Sequence, residues 1–193
     1  MKSICVFCGS STGARPEYAA AARRVGALLA QRGLGLVYGG GRVGLMGVVA
    51  DAVLAHGGRV AGIIPEFLFK KEIEHRDVND LRVVGSMHER KALMADLADG
   101  FIALPGGWGT LDEFCEILTW AQLGLHTKPC GLLNVAGYYD SFLQFFDTAT
   151  TEGFVQPQYR ALVLADTDPA RLLDRMAAYQ PPQTVKWMKD EQR

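Results

Sequence analysis

The sequence predicts an α/β fold, a single Rossmann-like, doubly wound domain with a mainly parallel sheet and helices on both faces. Short apolar runs such as Ser3–Cys8 and Phe101–Leu104 alternate along the chain with longer helical patterns, which is typical of repeated βαβ units. The apolar runs show little polar alternation, and such strands lie in sheets that are covered on both faces. Together these observations predict a parallel sheet buried between two layers of helices.

The predicted strands and helices alternate from one end of the chain to the other. We expect strands at residues 3–8, 34–38, 59–64, 81–84, 101–104, 131–134 and 162–165, and helices at 16–32, 44–56, 89–98, 110–123, 139–152 and from 168 onward. Pro16 suits a helix start, and Gly33 and Gly57 suit helix ends. The charged, irregular stretch from Pro65 to Asp80 is predicted to be a long loop at the edge of the sheet, and such loops are often functional.

Length and composition indicate one soluble globular domain. The 193 residues contain 49% hydrophobic and 21% charged residues, and the formal net charge is -1. We expect the domain to cover residues 1–180, followed by a polar tail at 181–193. The balanced charge, with no dense Lys/Arg block, predicts neither a nucleic acid nor a membrane as a partner. No apolar run reaches the roughly 20 residues that span a bilayer, and the first residues do not resemble a signal peptide, so a cytoplasmic location is expected.

The four cysteines predict neither a disulfide framework nor a metal site. Cys5 and Cys8 have a C-x-x-C spacing, but residues an odd number of positions apart on a strand point to opposite faces. Cys115 and Cys130 have no second pair nearby. Buried free thiols are therefore expected, and no metal ligands are assigned.

The segment from Pro105 to Glu113, with the sequence PGGWGTLDE, is the most informative part of the chain. It follows a predicted strand and opens a predicted helix. Its three glycines allow the backbone to approach a ligand closely, and the free N–H groups and dipole of a helix start favour a phosphate there. Glu113 lies three residues after Thr110, so it either closes a helix-capping box or lies beside the bound substrate to act in catalysis.

Four strand-to-helix turns are expected to converge on one ligand, at residues 9–13, 39–47, 87–91 and 105–113. Such turns line the crevice at the carboxyl edge of a doubly wound sheet. Their hydroxyls, glycine amides, Arg90–Lys91 pair and single carboxylate suit a nucleotide. Arg90 and Lys91 could also be a solvated first helical turn, although cations there oppose the helix dipole unless an anion binds.

The run from Gly39 to Gly44 also satisfies the pattern G-x-G-x-x-G, with Glu66 where a ribose-binding acid could fall. A dinucleotide fold carries this fingerprint after its first strand, whereas here it follows the second, and the segment from Pro105 is left unexplained. A redox dinucleotide site is therefore the less well supported interpretation. A tight turn with positive φ angles is a further explanation of these glycines, and it is compatible with ligand contact.

Three of these segments together resemble the LONELY GUY (LOG) family: residues 39–47, the sequence MHERKA at 87–92, and PGGWGT at 105–110 followed by Glu113. The resemblance covers nearly the whole chain, to about residue 180. It implies a Rossmann-like homodimer that hydrolyses the N-glycosidic bond of N6-modified AMP, and often of AMP itself, to the free base and ribose 5-phosphate. The family uses no metal or redox cofactor, so no cofactor is expected. A lysine decarboxylase label is often attached to it, but no lysine lies in an evident pyridoxal-phosphate context.

The resemblance implies roles for individual residues. Arg90 and Glu113 match the catalytic arginine and glutamate of the family. Substrate-binding residues are predicted at Ser10, Gly41, Gly44, Met87, Lys91, Gly106, Gly107, Trp108, Gly109 and Thr110, and alignment with the family adds Glu72 and Thr119. Trp108 stands where many members have tyrosine, and it is expected either to pack or to touch the base.

Two hypotheses follow from these residues. In the first, Glu113 stabilises an oxocarbenium-like transition state and activates water, Arg90 orients the carboxylate, and the glycine loop binds the 5'-phosphate. In the second, the chain is a non-catalytic nucleotide-binding or carrier protein, which the same fold permits. A homodimer is expected in either case, with the helix around Ile117, Trp120 and Leu123 contributing to the interface.

Overall fold

A computed structural model describes residues 1–69, 75 and 77–182. Within these residues the strands are β1 (Ser3–Phe7), β2 (Gly35–Tyr38), β3 (Val60–Pro65), β4 (Asp80–Val84), β5 (Phe101–Ala103), β6 (Cys130–Leu133) and β7 (Val163–Asp166). The helices are α1 (Pro16–Gln31), α2 (Gly44–Ala55), α3 (Glu66–Phe69), α4 (Met87–Leu97), α5 (Trp108–Gln122), α6 (Asp140–Thr151), α7 (Pro157–Arg160) and α8 (Pro169–Ala177), with a 3₁₀ turn at Val135–Gly137.

The strands form one sheet in the order β4-β3-β2-β1-β5-β6-β7, and every neighbouring pair is parallel. This confirms the predicted α/β class, with a wholly parallel sheet. The order turns back at β1, because the chain moves outward to β4 and then returns to place β5 on the other side of β1. The turns that follow β1 and β5 therefore diverge and open the crevice where such sheets bind ligands.

Helices cover both faces of the sheet, and alternate residues of each strand supply the two cores. Ile4 and Val6 of β1 pack with α1, α2 and α8 on one face. Cys5 and Phe7 pack with α4, α5 and α6 on the other. The alternation follows from the two-residue period of a strand. It also places Cys5 and Cys8 in different cores, as predicted, and all four cysteines are free.

The structure corrects three predictions and adds one element. Helix α3 lies in the stretch predicted to be a loop, and α7 lies where no element was predicted. Helix α4 begins at Met87 rather than Glu89, because the Ser86 hydroxyl caps it by accepting the Glu89 N–H at 3.1 Å, and the Glu89 carboxylate accepts the Gly85 N–H at 2.8 Å. Helix α5 begins at Trp108, two residues before the predicted start. Residues 183–193 of the predicted tail lie outside the described residues.

No helix in the described part of the chain is long and apolar enough to cross a membrane.

Candidate active site

A cavity of about 400 Å³ opens at the carboxyl edge of the sheet, between the turns that follow β1 and β5. Residues from all four predicted turns line it, which confirms that these turns meet. The predicted site residues among its lining are Ser10, Gly41, Met87, Arg90, Gly107, Trp108, Gly109, Thr110 and Glu113. The structure thus brings together most of the residues singled out from the sequence.

Two predicted glycines do not line the cavity, but they allow the segments that form it to pack closely. Gly44 starts α2 with a φ of 59°, and a Cβ there would collide with the backbone of Ser10 and Ser11. A Cβ at Gly106 would collide with the side chain of Thr110. Both positions therefore require glycine so that neighbouring segments can approach each other closely.

The remaining predicted residues lie elsewhere. The ammonium of Lys91 bonds to Asp112 at 3.3 Å and Glu116 at 3.0 Å, and it does not line the cavity. Thr119 is exposed, and its hydroxyl donates to the Cys115 carbonyl one turn earlier in α5. Glu72 lies outside the described residues.

Arg90 is buried at the floor of the cavity, with only 9% of its surface exposed. The alternative that it belongs to a solvated helical turn is therefore wrong. Gly39 makes this position possible, because a Cβ there would collide with Nη2 of Arg90. Nη2 lies 3.7 Å from Oε1 of Glu113. Among the described residues, the buried Nε of Arg90 has no hydrogen-bond partner, so one donor of the guanidinium is left unsatisfied beside the cavity.

Glu113 is equally buried, at 9% exposed, on the face of α5 that meets the cavity. The capping-box alternative is wrong, because the N-cap of α5 is Gly107 and Glu113 lies one turn deeper than that role allows. Burial raises the pKa of Glu113 to about 7, opposed by Arg90. Asp112 and Glu116 raise this pKa further, whereas Lys91 lowers it. A carboxyl with a pKa near neutrality is suited to proton transfer.

The start of α5 forms the other end of the cavity. Gly107, the N-cap, provides no side-chain cap. The Leu111 N–H donates to the Gly107 carbonyl at 3.1 Å. The preceding N–H groups of the first turn are available to an anion. The loop is held by the Tyr138 hydroxyl, which donates to the Gly106 carbonyl, and by the Gly9 N–H, which donates to the Pro105 carbonyl at 3.0 Å.

Several lining residues were not predicted. Met46, Ile64 and Leu68 form an apolar wall, and Asp112 lines the rim. Ile64 could have been found, because it lies at the carboxyl end of β3 and hence at the ligand-binding edge. No sequence signal marks His75, which does not line the cavity but is fully buried behind it, where its backbone N–H donates to the Gly40 carbonyl at 2.9 Å.

The donor set does not suit a metal ion or a pyridoxal cofactor. Across residues 1–69, 75 and 77–182, no three His, Cys, Asp or Glu side chains are grouped as metal ligands. The cavity lining within those ranges contains no lysine that could form a Schiff base. Among the described residues, the lining offers for chemistry the guanidinium of Arg90, the buried carboxyl of Glu113 and the start of α5.

Comparison with known proteins identifies the family. A family model described as possible lysine decarboxylase matches residues 46–176. A protein of Oryza sativa subsp. japonica, named a probable cytokinin riboside 5'-monophosphate phosphoribohydrolase, is 51% identical over 94% of this chain and 74% of its own length. A cytokinin riboside 5'-monophosphate phosphoribohydrolase of Arabidopsis thaliana is 52% identical over 93% of this chain and 83% of its own length.

Solved structures share the fold at lower identity. A molybdenum cofactor binding protein from Rippkaea orientalis is 22% identical, with a TM-score of 0.69 over 92% of this chain and 97% of that one. The molybdenum cofactor carrier protein of Chlamydomonas reinhardtii is 21% identical, with a TM-score of 0.69 over 92% and 99%. At this identity the likeness concerns the fold alone. The sequence identity and the family model together show that the chain belongs to the LOG family of cytokinin riboside 5'-monophosphate phosphoribohydrolases.

Proposed function

We propose that this protein hydrolyses the N-glycosidic bond of AMP and N6-prenylated AMP, releasing the free base and ribose 5-phosphate. The observation that carries the proposal is the buried Glu113 carboxyl, 3.7 Å from Arg90, in a cavity that ends at the uncapped start of α5. A phosphate at the helix start and a carboxylate beside C1' match the two ends of a nucleoside 5'-monophosphate. The relatives named above carry this activity in their names.

The proposed mechanism assigns one role to each charged group. As the bond between C1' and the base nitrogen breaks, positive charge develops on the ribose, and ionised Glu113 stabilises it. The same carboxylate accepts a proton from the water whose oxygen attacks C1'. In the net reaction this water supplies both the hydroxyl on C1' and the proton on the departing base. Arg90 holds Glu113 and donates to the substrate. The amides of Gly107, Trp108 and Gly109 bind the 5'-phosphate.

The apolar wall of the cavity favours binding of a base that carries an apolar N6 substituent. Met46, Ile64 and Leu68 line the cavity with carbon and sulfur atoms. An apolar prenyl group is stabilised there by leaving water, at about 25 cal/mol per Å² of apolar surface. We therefore propose N6-prenylated AMP as the preferred substrate over AMP.

The 5'-phosphate is expected to be required for catalysis. Binding energy at the start of α5 positions the glycosidic bond at the other end of the ribose phosphate, so its loss lowers kcat as well as affinity. Adenosine should therefore be cleaved with a kcat/KM at least about a hundredfold below that of AMP, measured as released adenine. Equal kcat/KM for the two compounds would contradict the assignment of a phosphate site to the start of α5.

The non-catalytic carrier remains the competing proposal, because molybdenum cofactor carriers share the fold. The same assay separates the two functions. The enzyme yields adenine and ribose 5-phosphate in equal amounts, whereas a carrier binds AMP and returns it intact. The buried Arg90–Glu113 pair favours the enzyme, because a binding protein gains nothing from a carboxylate in an anion site.

We also propose a homodimer. Ile117 is only 3% exposed and packs in the core with Phe114, so the expected interface at Ile117 needs correction. The exposed side of α5 instead presents Cys115 and Thr119, beside an apolar hollow that includes Leu118 and Val155. We expect light scattering at micromolar concentration to give twice the mass of the chain. A monomeric mass there would contradict the dimer.

A cytoplasmic location is part of the proposal. The four cysteines are free thiols, and Cys115 is exposed. Free thiols are typical of reducing compartments, whereas proteins of oxidising compartments tend to form disulfides.

A further inference from the structure

Lys91 connects the two helices that carry the catalytic pair. It lies next to Arg90 on α4, and its ammonium bonds to Asp112 at 3.3 Å and Glu116 at 3.0 Å on α5. Asp112 in turn is the neighbour of Glu113. Only 13% of the Lys91 side chain and 25% of the Glu116 side chain are exposed, whereas the Asp112 side chain is 65% exposed. The partly buried bond to Glu116 is therefore the stronger link between the two helices.

The link through Lys91 determines how α4 and α5 lie relative to each other. Nη2 of Arg90 and Oε1 of Glu113 are 3.7 Å apart, which is beyond a hydrogen bond. Their separation is therefore not fixed by a direct bond. The two bonds from Lys91 are shorter and join the same pair of helices, one residue from Arg90 on α4 and one and three residues from Glu113 on α5. By fixing the separation of α4 and α5 beside the catalytic pair, these bonds also fix the distance between Arg90 and Glu113.

The charged and titratable groups that face Glu113 come from three elements. Among the described residues, Arg90 and Lys91 face it from α4, Asp112 and Glu116 from α5 itself, the Cys5 thiol from β1, and the Cys8 thiol from the residue that follows β1. Burial raises the pKa values of both thiols, so they are neutral near pH 7. The charge around Glu113 therefore depends on two cations and two anions, and Lys91 contacts both anions.

We propose that Lys91 is a positioning residue: it does not contact the substrate in its own protomer, but holds α4 against α5 and offsets the charges of Asp112 and Glu116 beside Glu113. This inference rests on the proposed function, because it concerns the carboxylate that acts in that reaction. The geometry argues against direct binding, since the ammonium is already bonded to two carboxylates and is absent from the cavity lining.

The test is the pH dependence of kcat/KM for AMP in Lys91→Met. Glu113 acts when ionised, so the wild-type kcat/KM rises with pH through the pKa of Glu113, about 7. Removing the Lys91 cation leaves Asp112 and Glu116 uncompensated, which raises that pKa. The rise should move to higher pH by about half a unit to one unit. The phosphate of AMP titrates identically in every assay, so differences between variants report the protein.

Two further variants keep the test decisive if Lys91→Met folds poorly. Glu116→Gln removes an anion near Glu113 without touching the cavity, and it should move the rise to lower pH. Lys91→Arg keeps the cation and should restore the wild-type profile. A merely structural role for Lys91 would lower the melting temperature of Lys91→Met and leave its pH profile in place.

Direct substrate binding would give a different result. Lys91→Met would then raise KM for AMP about tenfold at every pH, the effect of losing one charged hydrogen bond, with no shift of the profile. That result, or shifts of the same sign in Lys91→Met and Glu116→Gln, would overturn the inference. Failure of the proposed function is distinguishable, because the wild-type protein itself would then release no adenine.

Discussion

Glu113→Gln is expected to lower kcat for AMP by at least about a hundredfold while the protein still folds and binds AMP. Glutamine fills the same volume and keeps the hydrogen-bonding oxygen, but it carries no negative charge for an oxocarbenium-like ribose and no base for water. The measurements are single-turnover release of adenine and equilibrium binding of AMP. Glu152→Gln, an exposed change at the end of α6, is the matched control and should leave kcat unchanged.

The outcome separates the catalytic and carrier functions. A folded Glu113→Gln protein with near wild-type kcat would end the catalytic assignment of Glu113. Since the capping role is already ruled out by the N-cap at Gly107, a purely structural explanation of this residue would then need another contact.

The same variant is expected to be more stable than the wild-type protein at pH 8. The pKa of Glu113 is about 7 in the folded protein and about 4.5 when unfolded, so the folded state binds more protons between these values. Its free energy of unfolding therefore falls as the pH rises from about 4.5 to about 7, and the loss is complete above pH 7. The shift corresponds to at most roughly 3 kcal/mol at pH 8.

Urea unfolding of Glu113→Gln and the wild-type protein at pH 5.5 and pH 8 measures this difference. The advantage of the variant should grow with pH, because glutamine avoids the cost of a buried charge. An advantage that does not change between the two pH values would show that Glu113 does not titrate in this range. A catalytic group that destabilises its own fold is common, because function and stability place opposite demands on a buried charge.

The sequence was sufficient to predict the fold and the meeting of the four turns. Apolar runs located all seven strands, since strands buried on both faces have few polar residues. Strand boundaries differed by at most one position, and the predicted end of β2 at Tyr38 is the observed one. The start of α5 was misplaced because Gly107 and Gly109 are poor helix formers, and the side chains give no sign that the helix has already begun.

The sequence was less informative about where individual side chains point. Consecutive helical residues differ by about 100° in direction, so Arg90 and Lys91 face different neighbours, and the arginine reaches the cavity while the lysine reaches α5. Thr119 follows Glu113 by six residues, which places it about 120° away around the helix. Family alignment places a residue at a position along the chain, but the helical period decides whether it shares a face with the catalytic group.

Gly39→Ala is expected to lower kcat/KM for AMP about a hundredfold without unfolding the protein. The new methyl group would collide with Nη2 of Arg90 and lie 3.0 Å from its Cζ, whereas its next neighbour, Sδ of Met46, is at an ordinary 3.4 Å. Gly39 does not have a positive φ, so alanine fits the backbone, and the flexible end of Arg90 must move instead. Movement of a catalytic group by about 1 Å can cost a hundredfold in rate.

The control is Gly35→Ala at the start of β2, the strand that Gly39 directly follows; the added Cβ there meets atoms at 3.7 to 3.8 Å and should leave kcat/KM unchanged. Comparing the two alanines separates an effect on the strand from an effect on Arg90. A Gly39→Ala protein with wild-type kcat/KM would show that the position of the Arg90 guanidinium is not needed for catalysis. Arg90 would then serve only to offset the charge of Glu113, a role that does not depend on a position fixed to within an ångström.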